Sequence, residues 1–241
     1  MDIIYEPTGR AKEYADLAIN IYKGCTHGCK YCYGAKLPWL QSQGYYESAK
    51  PKGNIIERVK KDASKLDSNC PEILLSFTGD VYQPEEMNLG LTRQVIETLI
   101  DHNLPFTILT KGGTRAARDF DLLEKYDKAR FGSTLVFWNQ KDADEWEPNV
   151  PSIADRIDAI VEANTLGIPT WVSLEPVINP DQAMAIVSEL HPFVDHWKVG
   201  KLNYKSLKVN WIKFREEIKR LFNYLKADYS IKHSLLNLRE P

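Results

Sequence analysis

Cys25, Cys29 and Cys32 fall within the eight residues Cys25-Thr26-His27-Gly28-Cys29-Lys30-Tyr31-Cys32, with Tyr33-Gly34 directly after them. Thiolates at the spacing C-x3-C-x2-C can converge on one [4Fe-4S] cube. They are one short of the four ligands such a cube takes, so one iron is left open. Zinc is the competing reading. It requires a fourth Cys or His at suitable spacing, and His27 lies between the ligands, where strain opposes joint coordination. A disulfide framework fits less well, because three thiols this close offer no partner set and no secretory signal opens the chain, which reads as cytoplasmic and reduced. Cys70, before a proline and an apolar run, reads as a small buried hydrophobe. His27 reads as an exposed loop histidine.

Further polar groups stand where apolar runs end. The run entering Ser76-Phe77-Thr78-Gly79-Asp80 stops abruptly at Thr-Gly-Asp. Glycine there permits close backbone approach and the Asp80 carboxylate can pair with an ammonium group; an ordinary turn is the competing reading. Thr110-Lys111-Gly112-Gly113 sets a cation and flexible backbone where a carboxylate can bind, or else presents a solvated turn lysine. Glu175 before Pro176, Asn139 after Trp138, and Lys198 and Tyr204 on either side of Gly200 add carboxylate, amide, ammonium and phenol groups among aromatic residues. Such surroundings suit a flat heterocycle. Six tryptophans and twelve tyrosines are equally compatible with core and surface packing.

Bringing these groups together needs a scaffold. At 241 residues the chain is long enough for one sizeable core and short for two full domains. The expected organisation is a single domain over 1–241, with its core at about 17–205 and a C-terminal helix and extended tail over 206–241. The 31 basic and 33 acidic residues give a net charge of -2, without the basic face that duplex nucleic acid demands. No apolar run reaches eighteen residues, so no membrane span is expected. Short β-branched or aromatic runs at 17–22, 72–77, 105–110, 130–137, 170–174 and 196–200 alternate with amphipathic stretches at 54–66, 89–102, 114–126, 152–166, 181–190 and 209–227. That alternation predicts strand-helix units and a parallel α/β sheet, with Asn54 and Ser152 as helix N-caps and Gly167 as a helix stop. In such a sheet ligands gather at the carboxyl ends of the strands. Phe214, Ile218, Leu221 and Leu225 repeat at helical spacing and should pack the last helix on the sheet. Lys201, Lys205, Lys208, Lys213 and Arg215 read as a solvated face. Residues 229–236 read as an extended segment that covers an open side of the sheet or reaches the site.

The cysteine loop resembles the signature of the radical S-adenosylmethionine (SAM) superfamily. Together with Asn20-Ile21-Tyr22-Lys23-Gly24, Thr78-Gly79-Asp80, Leu109-Thr110-Lys111 and Ser133, it resembles the spore photoproduct lyase-like branch, also called DNA repair photolyase-like. The resemblance implies a partial (β/α)6 TIM-like barrel and a [4Fe-4S] cluster on Cys25, Cys29 and Cys32. SAM would supply its amino and carboxylate groups to the open iron, and reduction would cleave it to methionine and a 5'-deoxyadenosyl radical. It also implies SAM contacts from Gly79, Asp80, Lys111 and Ser133, an adenine contact from Tyr31, and an electron donor such as flavodoxin or ferredoxin.

One departure bears on the substrate. Spore photoproduct lyases carry a hydrogen-donating cysteine immediately before the Thr-x-Asp segment, where this chain has Phe77, and Cys70 lies at the wrong end of that strand. With the near-neutral charge, this shifts the expectation from repair of a thymine lesion in DNA to a small molecule of the 7-deazaguanine type. The chain then resembles the queuine lyases of the same branch, which release preQ1 from queuine. In that reading Glu175 grips the base, Asn139 and Lys198 meet the polar diol or amine side, and Tyr204 is a further substrate contact. A non-enzymatic iron-sulfur module is the third reading.

Overall fold

A computed structural model describes residues 2–37, 44–202 and 207–238. Its strands are β1 (Ile4–Tyr5), β2 (Leu17–Ile19), β3 (Tyr22–Lys23), β4 (Lys50–Pro51), β5 (Ile73–Leu75), β6 (Phe106–Thr110), β7 (Ala129–Thr134), β8 (Thr170–Val177), β9 (His196–Lys201) and β10 (Asp228–Ile231). The longer helices are α1 (Ile55–Ala63), α2 (Leu91–Asp101), α3 (Gln140–Trp146), α4 (Ile153–Thr165), α5 (Pro180–Leu190) and α6 (Trp211–Leu225). Eight strands form one sheet in the order β1-β2-β5-β6-β7-β8-β9-β10, parallel from β2 onward, while β1 joins antiparallel. This is the expected α/β partial barrel. Its six anticipated strands are β2 and β5 to β9, and β1 and β10 flank them.

Strand alternation divides the side chains into two sets. Ile19, Ile73, Leu75, Phe106, Ile108, Phe131, Val172, Leu174, Trp197 and Val199 join the large core cluster under the helices. Ala18, Leu74 and Trp171 form a separate cluster inside the curve of the sheet, with Tyr5, Tyr14, Phe77 and Leu109 against it. That second set forms the floor of the lumen, and close approach sets its shape. A Cβ on Gly132 would lie 2.2 Å from the Trp171 ring, so only glycine lets the indole cross to β7.

Several expectations shift in detail. The helix anticipated over 114–126 is a 3-10 segment, Gly113–Asp119, running into a short α-helix, Phe120–Leu123. Its first residues are held sideways, because Asp155 of α4 accepts from both the backbone N–H and the hydroxyl of Thr114. Ser152 caps α4 by accepting from Asp155 N–H, whereas Asn54 has left-handed backbone and makes no side-chain cap. On α6 the buried face is Phe214, Ile218 and Phe222, with Leu221 and Leu225 at its margin. Each fully buried member contributes about 1.5–3 kcal/mol. Arg215 is not part of a solvated face, since it donates to the Leu236 and Leu238 carbonyls and ties α6 to the chain end. Cys70, expected to be buried, is only half-buried and packs beside the main core cluster.

The sheet does not close on itself, and its two edges are joined by the N-terminal segment. The 3-10 turn Gly9–Glu13 lies between them. Arg10 O accepts from Lys232 Nζ at 3.2 Å, Glu13 accepts from His233 N–H at 2.7 Å, and Tyr14 O accepts from Lys198 Nζ at 2.7 Å. Of the segment expected to be extended over 229–236, only the start is strand: β10 ends at Ile231, and His233–Leu236 forms a short helix. β10 covers the open edge of β9, and Lys232 after it reaches the lumen. No helix among the described residues is long and apolar enough to cross a membrane.

Candidate functional site

The cysteine loop leaves β3 at Gly24, whose φ is +84° and whose Cβ would meet Ser48 O at 2.1 Å. Gly24 O in turn lies 2.8 Å from where a Cβ on Gly79 would stand. Two glycines thus let the cysteine loop rest on the Thr-Gly-Asp turn. A Gly24→Ala variant is expected to lose at least about 1–2 kcal/mol from left-handed strain, and to carry less iron per chain after anaerobic reconstitution because the loop must move. Iron and sulfide analysis of the variant beside the parent checks this.

Tyr45 and Tyr46 back the loop. Tyr45 O accepts from Cys25 N–H at 2.8 Å, its hydroxyl lies 3.9 Å from Cys32 Sγ, and Tyr46 OH donates to Cys29 O at 3.3 Å. From the other side, Lys30 N–H donates to Trp146 O, Asn149 N–H to His27 O and the Asn149 amide to Thr26 O. Burial pushes the thiols of Cys25 and Cys29 up to about 12; Asp80 adds to the rise at Cys25, while Lys111 opposes it at Cys29. Three neighbouring thiolates in such a place need positive charge, and an iron-sulfur cube supplies it. Among the described residues no three His, Cys, Asp or Glu side chains gather closely enough for a single metal ion. A cube asks for wider spacing than zinc does, since each thiolate binds a different iron, and the donor set fits it.

Asp80 sits at the mouth of the lumen as a junction. Its carboxylate accepts from Tyr82 N–H at 2.8 Å, Thr110 Oγ1 at 2.5 Å and Lys111 N–H at 2.7 Å. Burial alone would raise its pKa, yet His27 and these hydrogen bonds hold it below the usual carboxylate value. His27 is not the exposed loop residue anticipated from sequence: it is 1% exposed, with Nδ1 3.6 Å from Asp80 and Nε2 3.1 Å from an Arg115 guanidinium nitrogen. Lys111 stays charged against burial through Cys29, Glu147 and Asp80, and its ammonium lies 5.6 Å from the Tyr31 ring centre. Tyr31, Gly79, Asp80 and Lys111 are therefore brought together beside the cysteines.

Two buried residues that sequence reasoning missed anchor this group. Tyr31 OH donates to Glu147, and Glu147 pairs with Arg156 at 2.8 Å. Both charges are 0% exposed, and Arg156 also donates to Thr134 O. A signal was present. Arg156 stands in the buried stripe of α4, Ile153, Arg156, Ala159, Ile160 and Ala163, where an unpaired charge would be prohibitive. Asn20 has a structural role that its place in the motif does not reveal: its Oδ1 accepts from Phe77 and Thr78 N–H at 2.9 and 2.8 Å and shapes the turn before Asp80.

Other anticipated residues are placed elsewhere. Ser133 shares the outer face of Phe131 in β7, so its buried hydroxyl points at the helical layer and has no partner among the described residues. A side-chain contact with SAM does not follow from that position. Asn139 uses its side-chain oxygen to cap α3, accepting from Lys141 and Asp142 N–H, and so is committed to local structure. Tyr204 lies outside the described residues. Glu175 and Lys198 do face the lumen. Glu175 lies over Gly200, where a Cβ would stand 2.7 Å from its carboxyl carbon, and Lys198 Nζ lies 5.0 Å from the Tyr14 ring and 4.9 Å from that of Trp171. Phe77 meets Tyr14 edge-on at 6.1 Å, completing an aromatic floor.

The Radical SAM superfamily matches residues 19–189 of this chain. An uncharacterised protein of Methanocaldococcus jannaschii is 31% identical over 195 residues, covering 80% of this chain and 72% of the archaeal protein. The chain spans only 49% of the length of the mycobacterial relatives it matches. A radical SAM Nalpha-GlyT isomerase of Pseudomonas phage M6 is 28% identical over 154 residues, covering 64% of this chain and 31% of the phage protein. Among solved structures, a mutant spore photoproduct lyase with bound AdoMet and dinucleoside spore photoproduct superimposes with a TM-score of 0.73 at 14% identity, over 94% of this chain and 79% of the lyase. That likeness concerns the fold.

Proposed function

Because this chain belongs to the radical SAM superfamily, we propose that it fragments a small nucleobase-derived substrate held in the lumen of the sheet, as a lyase releasing preQ1 from queuine. It is an enzyme whose cofactors are a [4Fe-4S] cluster and SAM, and it needs a reductant, for which flavodoxin or ferredoxin is our candidate. When bound, the reduced cluster cleaves SAM and supplies a 5'-deoxyadenosyl radical. Cys25, Cys29 and Cys32 would hold the cluster. Tyr31 would face the adenine, held by Glu147, while Gly79, Asp80 and Lys111 would line the methionine end of SAM. Lys111 is suited to the SAM carboxylate, being a cation that its neighbours keep charged. Asp80 already accepts three hydrogen bonds, so it orders the Thr-Gly-Asp turn whether or not it also meets the SAM amino group.

The observation that carries the substrate reading is Glu175, a luminal carboxylate laid over Gly200 beside an aromatic floor. A carboxylate there can accept a hydrogen bond from an N–H of a guanine-like edge. A hydrogen atom of the cyclopentenediol would pass to the 5'-deoxyadenosyl radical, which becomes 5'-deoxyadenosine. The adjacent carbon-nitrogen bond would then break, with the nitrogen leaving as the preQ1 amine and the neighbouring hydroxyl losing its proton. The ring radical that remains would be quenched by a second electron from the reductant and a proton. Repair of a thymine lesion is the second reading. Phe77 weighs against it, standing in the aromatic floor where a hydrogen-donating cysteine would be needed.

Reconstituted protein incubated anaerobically with SAM, a strong reductant and queuine should form 5'-deoxyadenosine and preQ1 together, measured by mass spectrometry. Glu175→Gln should raise the KM for queuine by about tenfold while cluster content is unchanged, the loss of one charged hydrogen-bond partner. Formation of 5'-deoxyadenosine with queuine untouched would reject this substrate and direct the same assay to thymine-lesion DNA. Salt-sensitive binding would then be expected.

A further inference from the structure

Inside the lumen, two oppositely charged groups stand beside one another with hydrogen-bonding capacity left over. The Lys198 ammonium carries three donors and, among the described residues, uses one, on Tyr14 O at 2.7 Å. Glu175 Oε2 is buried and accepts no hydrogen bond, although Lys232 Nζ lies 3.3 Å away as a counter-charge. The remaining luminal polar groups are occupied: Tyr14 OH and Ser173 Oγ bond to each other at 2.7 Å, and Lys232 donates to Arg10 O. Lys232 Nζ also lies 4.4 Å from the centre of the Tyr14 ring. What is left unsatisfied is one acceptor and adjacent donors above an aromatic floor.

A free carboxylate would bring a second negative charge beside Glu175, and a bare amine would face two ammonium groups. A neutral edge that donates and accepts at adjacent atoms satisfies both sides. We infer that Glu175 and Lys198 together read a lactam edge of the substrate, its ring N–H donating to Glu175 Oε2 and its ring C=O accepting from the Lys198 ammonium. This rests on the lumen being the substrate site, and it narrows the substrate to heterocycles that carry a cis-amide. Lys232 is then a positioning residue, whose ammonium 3.3 Å from Glu175 Oε2 holds the carboxylate toward that edge.

The charge state of Lys198 adds a second readout. Burial pushes it down to about 8, with Glu72 just before β5, Arg130 of β7, Lys232 just after β10 and Glu175 of β8 as the charges around it. Below that pH it is an ammonium; above it, an amine and a weaker donor.

The test uses the reconstituted holoenzyme with SAM and measures anaerobic equilibrium binding of 7-deazaguanine and of its N1-methyl derivative. The parent base should bind at least about tenfold more tightly than the methylated one, because methylation removes the N–H and leaves the buried carboxylate unpaired. Affinity for 7-deazaguanine should fall above about pH 8, and Lys198→Met should weaken binding and abolish that fall, whereas Lys198→Arg should retain most of the affinity. Equal binding of the two bases to the unmutated enzyme overturns the inference, as does a Lys198→Met variant with unchanged affinity and pH profile. Queuine turnover is scored separately. If 7-deazaguanine binds with the expected pattern but queuine is not cleaved, the lactam site stands and the lyase reading falls. Cleavage of queuine with an unchanged KM in Lys198→Met leaves the lyase reading and removes the lactam site.

Discussion

Replacing Cys29 with alanine is expected to reduce formation of 5'-deoxyadenosine to the assay background, with or without substrate. Cys29 is the most buried of the three loop thiols at 6% exposed, and without it two thiolates must hold a cube that already lacks a fourth protein ligand. Loss of a direct ligand should exceed the roughly 10–100-fold that changes outside the metal's own ligands typically cost. Cys70→Ala is the matched control: Cys70 borders the core cluster before β5, away from the lumen mouth, so cluster content and activity should persist. Parallel loss in both variants would remove the three-cysteine site.

The second large effect is expected at Arg156. Arg156→Leu leaves Glu147 fully buried without its counter-charge, a change that costs about 3–5 kcal/mol, or roughly 6–20 °C in unfolding temperature for a chain of this size. Tyr31 also loses a fixed acceptor, so iron content should fall in what remains folded. The double variant Arg156→Leu/Glu147→Leu removes both charges and should recover most of the stability, though not the tether to Tyr31. Thermal unfolding of the apo chains and iron analysis of the reconstituted ones separate the two consequences. Equal stability of the single and double variants would show that the pair carries no such weight.

Some of the site was legible because its residues are close in sequence and their chemistry depends on type. The cysteine spacing could be read directly, and so could the abrupt stops at Thr-Gly-Asp and Thr-Lys-Gly, since a strand of apolar residues that ends in charge marks a strand end wherever it lies. Parity was harder. Ser133 and Thr134 differ by one position in β7, and that single step decides which hydroxyl faces the lumen and which the helices. Asn139 illustrates a different difficulty: an amide after a strand suits a ligand and a helix cap equally, and the backbone of α3 claimed it.

The sequence alone determined the class of chemistry and the order of elements, because thiol spacing restricts cluster geometry locally and because the alternation of apolar periods dictates strand and helix within short windows. Only the tertiary structure decided which residues serve the site from far along the chain. Glu147 reaches Tyr31 across 116 positions, Lys232 reaches Glu175 from just after β10, and His27 is buried beside Arg115 and Asp80. Such pairings follow from sheet order and packing, in which the free energy of burying a charge depends on a partner that no local window contains.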